Sequence, residues 1–254
     1  CKMKKLFSLI SPSYMRSNTC VTHKYLPEVE YCVDPRETYN YASTHDRIIT
    51  LPEGVQGSYP RVCNWILDNV KATNIIIIDD DMRHFGRWEG GERKKLSTAG
   101  AMEFIEQACR IAEQMDVHYW GMNILPDKGC YHEHRPFSLS NYLGGPFQAH
   151  RGNECRYDEK MLLKEDYDMT LQVLNKYRKA LRFNMYHFVC SQHTNNGGCA
   201  AYRTMNKEKE QNEALRRKWG SKIVKWDSGA TAVNRVKEQS YDINPMISPP
   251  IGGI

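Results

Sequence analysis

At 254 residues the chain has room for one large α/β domain or two small ones, with ample core either way. Its net charge of +5 and pI near 8.6 permit a polyanionic partner but fall far short of a dedicated nucleic-acid binder. No stretch nears the roughly 18 apolar residues of a membrane span, and the apolar segment within Cys1–Phe7 is too short for a signal peptide, so a soluble, cytoplasmic protein is expected.

Lys4 to Ile10 reads as a first strand, broken by Ser11-Pro12-Ser13-Tyr14-Met15-Arg16, a Pro/Ser loop whose Arg suits a phosphate or nucleotide contact. Val29 to Val33 is a second strand, ending at Asp34-Pro35-Arg36, and Ile48 to Leu51 a third. Apolar residues at Val62, Trp65, Ile66 and Val70 give helical spacing over Pro60 to Val70. Strand and helix alternate, which predicts an α/β arrangement.

Next comes Asn74-Ile75-Ile76-Ile77-Ile78-Asp79-Asp80-Asp81-Met82. An unbroken Ile run suits a strand covered on both faces, as in the parallel centre of an α/β sheet. Side chains alternate along an extended chain, so Asp79 and Asp81 are expected to point one way and Asp80 the other. Two carboxylates can then share one divalent ion, and ligation by oxygen alone favours Mg or Mn over Zn. Three crowded acids repel one another, so at least one pKa must rise unless a metal or Arg/Lys compensates. The plainer reading is that the acids end the strand and cap a turn.

Arg83 to Lys95, glycine-rich and charged, is expected to be an irregular or mobile loop over the site. Thr98 to Met115 reads as a helix and Val117 to Asn123 as a strand. Phe137 to Ala149 holds a Gly144-Gly145-Pro146 turn between strand-like pieces. Lys164 to Tyr177 is helical, with Glu165, Asp166 and Asp168 in the first turns, where acids suit the helix dipole. Phe183 to Cys190 is a strand. Lys207 to Trp219 is a charged helix whose basic end, with Lys222, Lys225 and Trp226, offers DNA backbone and stacking contacts or is simply a solvated face. One domain is expected over residues 1–239, with a poorly ordered Pro/Gly tail from 240 to 254.

Nine cysteines, an odd number without tight spacing, read as reduced thiols. Cys1, standing where a starting Met would, suggests a trimmed chain. Cys130-Tyr131-His132-Glu133-His134 is a soft-ligand cluster, but it lacks the paired Cys-x-x-Cys spacing of a structural zinc site.

Taken in order, Ile10 to Arg16, the helix start Arg61 to Asn64, the Asp79-Asp80-Asp81 triplet, Glu165-Asp166-Tyr167-Asp168 and the Asn196-Gly197-Gly198 loop resemble GT-A glycosyltransferases. More narrowly, they resemble the TET-associated glycosyltransferases of phages, which decorate hydroxymethylated bases in DNA. The resemblance runs from about Lys4 to about Trp226. It implies a Rossmann-like α/β fold of the GT-A type, with a mixed, mostly parallel sheet flanked by helices.

The resemblance also implies that Asp79 and Asp81 bind a divalent metal, Mn or Mg, that grips the diphosphate of a nucleotide sugar, UDP-linked, and steadies the departing charge. The opening loop would hold the nucleotide through Pro12, Ser13, Tyr14 and Arg16, with Asp34 closing the pocket. Arg61 would pair with a phosphate, and Asn64 and Asp80 would be further donor contacts. Asp166, with Glu165 second, would be the base for the acceptor hydroxyl. His193 would be a late ligand of the metal or diphosphate. Asn195, Asn196, Gly197, Gly198 and Arg203 would meet the acceptor, 5-hydroxymethylcytosine in phage DNA, flipped out or single-stranded. The setting would be the host cell cytoplasm, and no obligate protein partner is evident.

Three other readings stay open: a GT-A transferase with a carbohydrate, lipid or protein acceptor; a metal-dependent nuclease or nucleotidyltransferase, which also clusters aspartates on a strand; and a non-catalytic DNA-binding module.

Overall fold

The computed structural model describes residues 5–124, 131–191, 203–225 and 244–249. Its elements are β1 (Phe7–Ser13), α1 (Thr22–Tyr25), β2 (Glu30–Val33), a 3-10 turn (Pro35–Glu37), α2 (Thr38–Ala42), β3 (Ile48–Thr50), α3 (Tyr59–Asn69), β4 (Asn74–Ile78), β5 (Met82–Glu89) and β6 (Glu92–Lys95). There follow α4 (Thr98–Gln114), β7 (Tyr119–Asn123), β8 (Phe137–Ser138), β9 (Phe147–His150), α5 (Glu165–Tyr177), β10 (Leu181–Cys190), α6 (Met205–Trp219), β11 (Val224–Lys225) and β12 (Met246–Ile247).

Ten strands make one sheet in the order β3-β2-β1-β4-β9-β7-β10-β5-β6, with β8 paired to β10 off that path. β3, β2, β1 and β4 are parallel neighbours, and β7 pairs parallel with β10. β9 is reversed between β4 and β7, β5 and β8 run against β10, and β6 turns back along β5. Only β9, β5 and β8 therefore oppose the common direction, and the sheet is mixed but mostly parallel.

The Ile run is buried at every position because both faces of β4 are covered. Ile76 and Ile78 pack with Leu9, Trp120 and Phe183 against Ala101, Ile105 and Ala108 of α4. Ile75 and Ile77 pack with Ile10 and Tyr119 against Cys63 and Ile66 of α3 and Met169 and Val173 of α5. Each such side chain contributes about 1.5–3 kcal/mol by leaving water. The helices begin on local signals. Ser58 and Ser97 accept from the Arg61 and Gly100 N–H groups at the starts of α3 and α4, and Thr204 accepts from Lys207 N–H at the start of α6.

Two expectations are corrected. The first strand runs on through Pro12 and Ser13, which pair with Cys32 and Val33 of β2 after pairing with β4 has ended at Ile10; the Pro/Ser loop therefore starts at Tyr14. Arg83 to Lys95 is not an irregular loop but the β5–β6 hairpin, closed by Gly90 and Gly91 at φ +57° and +79°. Those are the two positive-φ positions of a tight hairpin turn. The charge that suggested a loop belongs to an edge strand, and all four β6 residues are exposed. Within the expected tail, Met246–Ile247 pairs with Val224–Lys225.

The basic end of α6 is also engaged internally. Lys218 Nζ contacts Asp158 (2.8 Å) and Asp168 (2.9 Å), and Trp219 Nε1 donates to Asp168 (2.7 Å). Asp168 is fully buried and also accepts from Gln172, so Lys218 and Trp219 dock α6 on α5 rather than face a partner. Trp226 lies outside the described residues. Asp168→Ala leaves the indole N–H without its acceptor, and a fall of about 3 kcal/mol in urea-unfolding free energy is expected.

Candidate active site

β4 stops at Ile78, and residues 79–81 turn into β5. Several elements fasten this turn. Thr22 Oγ1 donates to Asp79 O (2.6 Å) and accepts from Met82 N–H (2.9 Å), and the Val21 N–H donates to Asp80 O (2.9 Å). Asp79 N–H donates to Pro146 O, and Ser191 N–H donates to Asp81 O, both at 3.0 Å. The start of α1, the loop before β9 and the end of β10 thus converge on the triplet. No local pattern marks Thr22 for this role.

The three acids have different surroundings. Asp80 is buried, with Oδ1 2.8 Å from Arg16 Nη1 and Oδ2 accepting from Ser13 Oγ at 2.5 Å. Both its oxygens are engaged, so it braces β1 and the loop after it. Asp79 is half-buried, and burial, reinforced by Asp81 and Asp80, pushes its carboxyl up to about 8. Burial and Asp80 also raise Asp81, whose Oδ1 is buried without a hydrogen-bond partner.

Among the described residues, Arg16 is the cation that offsets all three acids. One guanidinium against three carboxylates leaves a deficit of positive charge of the kind a divalent ion fills. The donor set, carboxylate oxygen alone, fits Mg or Mn. Among the described residues no three His, Cys, Asp or Glu side chains gather into a metal-binding group. The protein's share would therefore be Asp79 and Asp81, and His193 lies outside the described residues.

Asp166 stands on the first turn of α5, buried, across the Gly145–Pro146 loop from Asp79. Its Oδ2 accepts from Gly145 N–H (2.9 Å) and from the Tyr142 hydroxyl, and its Oδ1 accepts from Tyr167 N–H (2.8 Å). Asp79 and Asp166 also act on each other electrostatically. Glu165 is half-buried; burial and Asp166 hold its carboxyl well above the usual range, and its Oε2 has no hydrogen-bond partner.

Gly144 is required at this point. A Cβ there would lie 2.6 Å from Asp166 Oδ2 and closer still to the Tyr142 hydroxyl. Gly144→Ala is expected to displace Asp166 and lower kcat about tenfold or more, with little change in donor KM, as steady-state kinetics would show. The Gly-Gly-Pro signal was visible in the sequence as a turn, but its partner Asp166 lies about 20 residues on.

The other candidates fall into two groups. Tyr14 is exposed beside the 3-10 turn, where Asp34 is buried and held by Arg36 through Oδ1–Nε (2.9 Å) and Oδ2–Nη2 (2.6 Å). Met15 N–H donates to Glu37, so this turn and the loop after β1 form one unit. Arg61 and Asn64 face a different neighbour. Arg61 Nε lies 3.0 Å from Glu159 Oε2, and the Asn64 amide makes two bonds to the Tyr157 backbone (2.9 and 2.8 Å). Arg203 contacts Glu208. Asn195, Asn196, Gly197 and Gly198 lie outside the described residues, as does Cys130 of the soft-ligand cluster.

No protein-family model matches the sequence, and a search of curated proteins finds no match. Solved structures do share its architecture. A mycobacterial protein is 12% identical over 96% of this chain and 84% of its own, with a TM-score of 0.54. The mannosyltransferase PcManGT from Pyrobaculum calidifontis, in complex with GDP-Man and Mn2+, is 12% identical over 85% of this chain and 65% of its own, with a TM-score of 0.51. S. aureus TarS 1–349 is 14% identical over 71% of this chain, with a TM-score of 0.45, and this chain spans 59% of that one. At 12% identity the likeness to the first two establishes the fold, which is the GT-A type.

Proposed function

We propose that this chain is a metal-dependent glycosyltransferase that moves a sugar from a nucleotide sugar, UDP-linked, to the hydroxyl of 5-hydroxymethylcytosine in DNA. One observation carries the enzymatic part. At the carboxyl end of β4, the under-compensated pair Asp79 and Asp81 and the oriented carboxylate Asp166 meet through the Gly145–Pro146 loop.

In this reading Asp79 and Asp81 would hold Mn or Mg, which when bound supplies Lewis-acid stabilisation to the departing diphosphate. Tyr14, exposed beside Arg36, would lie against the nucleoside, and the Arg16–Asp80 pair keeps the loop after β1 in place. Asp166, oriented by three donors, takes the acceptor proton as that oxygen attacks the anomeric carbon, and the bond to the diphosphate breaks as the new C–O bond forms. The DNA acceptor is supported by the sequence resemblance alone; Lys218 and Trp219, engaged with α5, add nothing to it.

The test is incubation with Mn or Mg, a panel of UDP- and GDP-sugars and DNA carrying cytosine or 5-hydroxymethylcytosine, followed by mass spectrometry of the nucleosides. A hexose or pentose mass on the hydroxymethylated nucleoside alone is the expected result, and EDTA should abolish it. Transfer only to a non-DNA acceptor would remove the DNA assignment and keep the class. Phosphodiester cleavage without any sugar donor would favour a nuclease.

A further inference from the structure

α6 is tied to the segment just before Glu165 and Asp166 by a buried charge cluster. Glu208, on the first turn of α6 and fully buried, places Oε2 2.7 Å from Lys164 Nζ and Oε1 3.2 Å from Arg203 Nε. Lys164, itself 2% exposed, directly precedes Glu165 at the start of α5. One turn along α6, Gln211 accepts from Leu162 N–H (2.6 Å) and donates to Lys160 O (3.2 Å), fixing the same segment. Lys164 and Arg203 are also the cations that act on Glu165, opposing the upward push of burial and Asp166. Two cations thus engage one carboxylate on α6 and also act on Glu165, the first of the acidic pair on α5.

Among the described residues, the tyrosines around the pair and Asp79 bring no compensating positive charge. Desolvation holds the hydroxyls of Tyr59 on α3, Tyr119 on β7, and Tyr142 and Tyr157 on the connecting segments well above the ordinary phenol range, so they stay neutral. Asp79 brings no positive charge in either protonation state. A buried ion cluster contributes little stability beyond an apolar one of the same volume, so an electrostatic task explains it better than a structural one.

We propose that Glu208 is a positioning residue for the acidic pair: by engaging Lys164 and Arg203 it keeps those cations from pairing with Glu165 and Asp166, and so preserves a carboxylate basic enough to take the acceptor proton. The inference rests on the reading of Asp166 as base. A carboxylate next to uncompensated cations ionises at lower pH and is a weaker base. Removing the charge of Glu208 therefore moves the ionisation of the pair down, and removing that of Lys164 moves it up.

The test is a carboxyl-detected NMR titration of Glu165 and Asp166, run beside the pH profile of kcat, on the wild type, Glu208→Gln and Lys164→Met. The titration is expected to move down by about one pH unit in the first variant and up by about as much in the second. The acid limb of kcat should follow, donor KM should hold, and the plateau kcat of Glu208→Gln should fall about tenfold. The double variant restores the net charge of the cluster and should return the titration towards its wild-type position; it also serves if a single variant fails to fold. Lower stability with an unmoved titration would reduce the cluster to a structural ion pair and overturn the proposal. A titration that moves as expected, in a protein that transfers no sugar, supports the role of Glu208 and overturns the glycosyltransferase reading instead.

Discussion

Asp166→Asn is expected to lower kcat by about 100- to 10,000-fold while leaving donor KM within about twofold, the range for loss of a positioned general base. The substitution keeps the shape of the side chain, and its amide oxygen can still accept from Gly145 N–H and the Tyr142 hydroxyl, so the loop before β9 stays in place. What is lost is the proton acceptor. Urea unfolding should move little compared with Gly144→Ala, which disturbs the same loop by displacement. A loss of donor affinity equal to the loss of kcat would assign Asp166 to binding instead.

Asp79→Asn is expected to abolish metal-dependent turnover and, without metal, to stabilise the protein above about pH 6. The sign follows from proton binding. In the folded chain, burial and the neighbouring acids keep the Asp79 proton on up to about pH 8, whereas the unfolded chain releases it near pH 4. At Asp79 the folded state thus binds more protons across that window, and the contribution of this group to the stability of the metal-free wild type falls as pH rises from about 4 to about 8. Asn does not titrate, so the gap between variant and wild type should be near zero at pH 4 and on the order of 1–3 kcal/mol at pH 8. Adding Mn should stabilise the wild type and leave the variant nearly unmoved, which thermal unfolding across pH with and without Mn would measure. A gap between Asp79→Asn and the metal-free wild type that stays flat or reverses from about pH 4 to about pH 8 would contradict this account of the triplet.

The scaffold was legible where a local signal is strong. Four consecutive Ile residues between polar neighbours predict a strand buried on both faces, and β4 is that strand. The helical spacing over Pro60 to Val70 and over Thr98 to Met115 gave α3 and α4 to within a residue at each end. The β5–β6 hairpin is hidden in the sequence because Gly90-Gly91, a hairpin signal, sits among charges that read as loop. The end of β1 is hidden because Pro12 looks like a breaker, although it still pairs with Cys32.

At the site, legibility stopped where partners are distant in sequence. Arg61 and Asn64 looked like donor contacts, yet Glu159 and Tyr157, which engage them, lie 98 and 93 residues away. Lys218 and Trp219 looked available for DNA because Asp168 is about 50 residues upstream. The crowding of Asp79, Asp80 and Asp81 needs no distant partner to be seen, and the raised carboxyls of Asp79 and Asp81 follow from it.

The most direct test is release of nucleoside diphosphate from a panel of nucleotide sugars with acceptor DNA present, with Mn or with EDTA, by the wild type, Asp79→Asn, Asp81→Asn and Asp166→Asn. Release is predicted only for the wild type with metal, with Mn-dependent donor binding retained by Asp166→Asn and lost by the other two. Release that survives EDTA, or that continues in Asp79→Asn and Asp81→Asn, would contradict a metal-bound diphosphate at the end of β4.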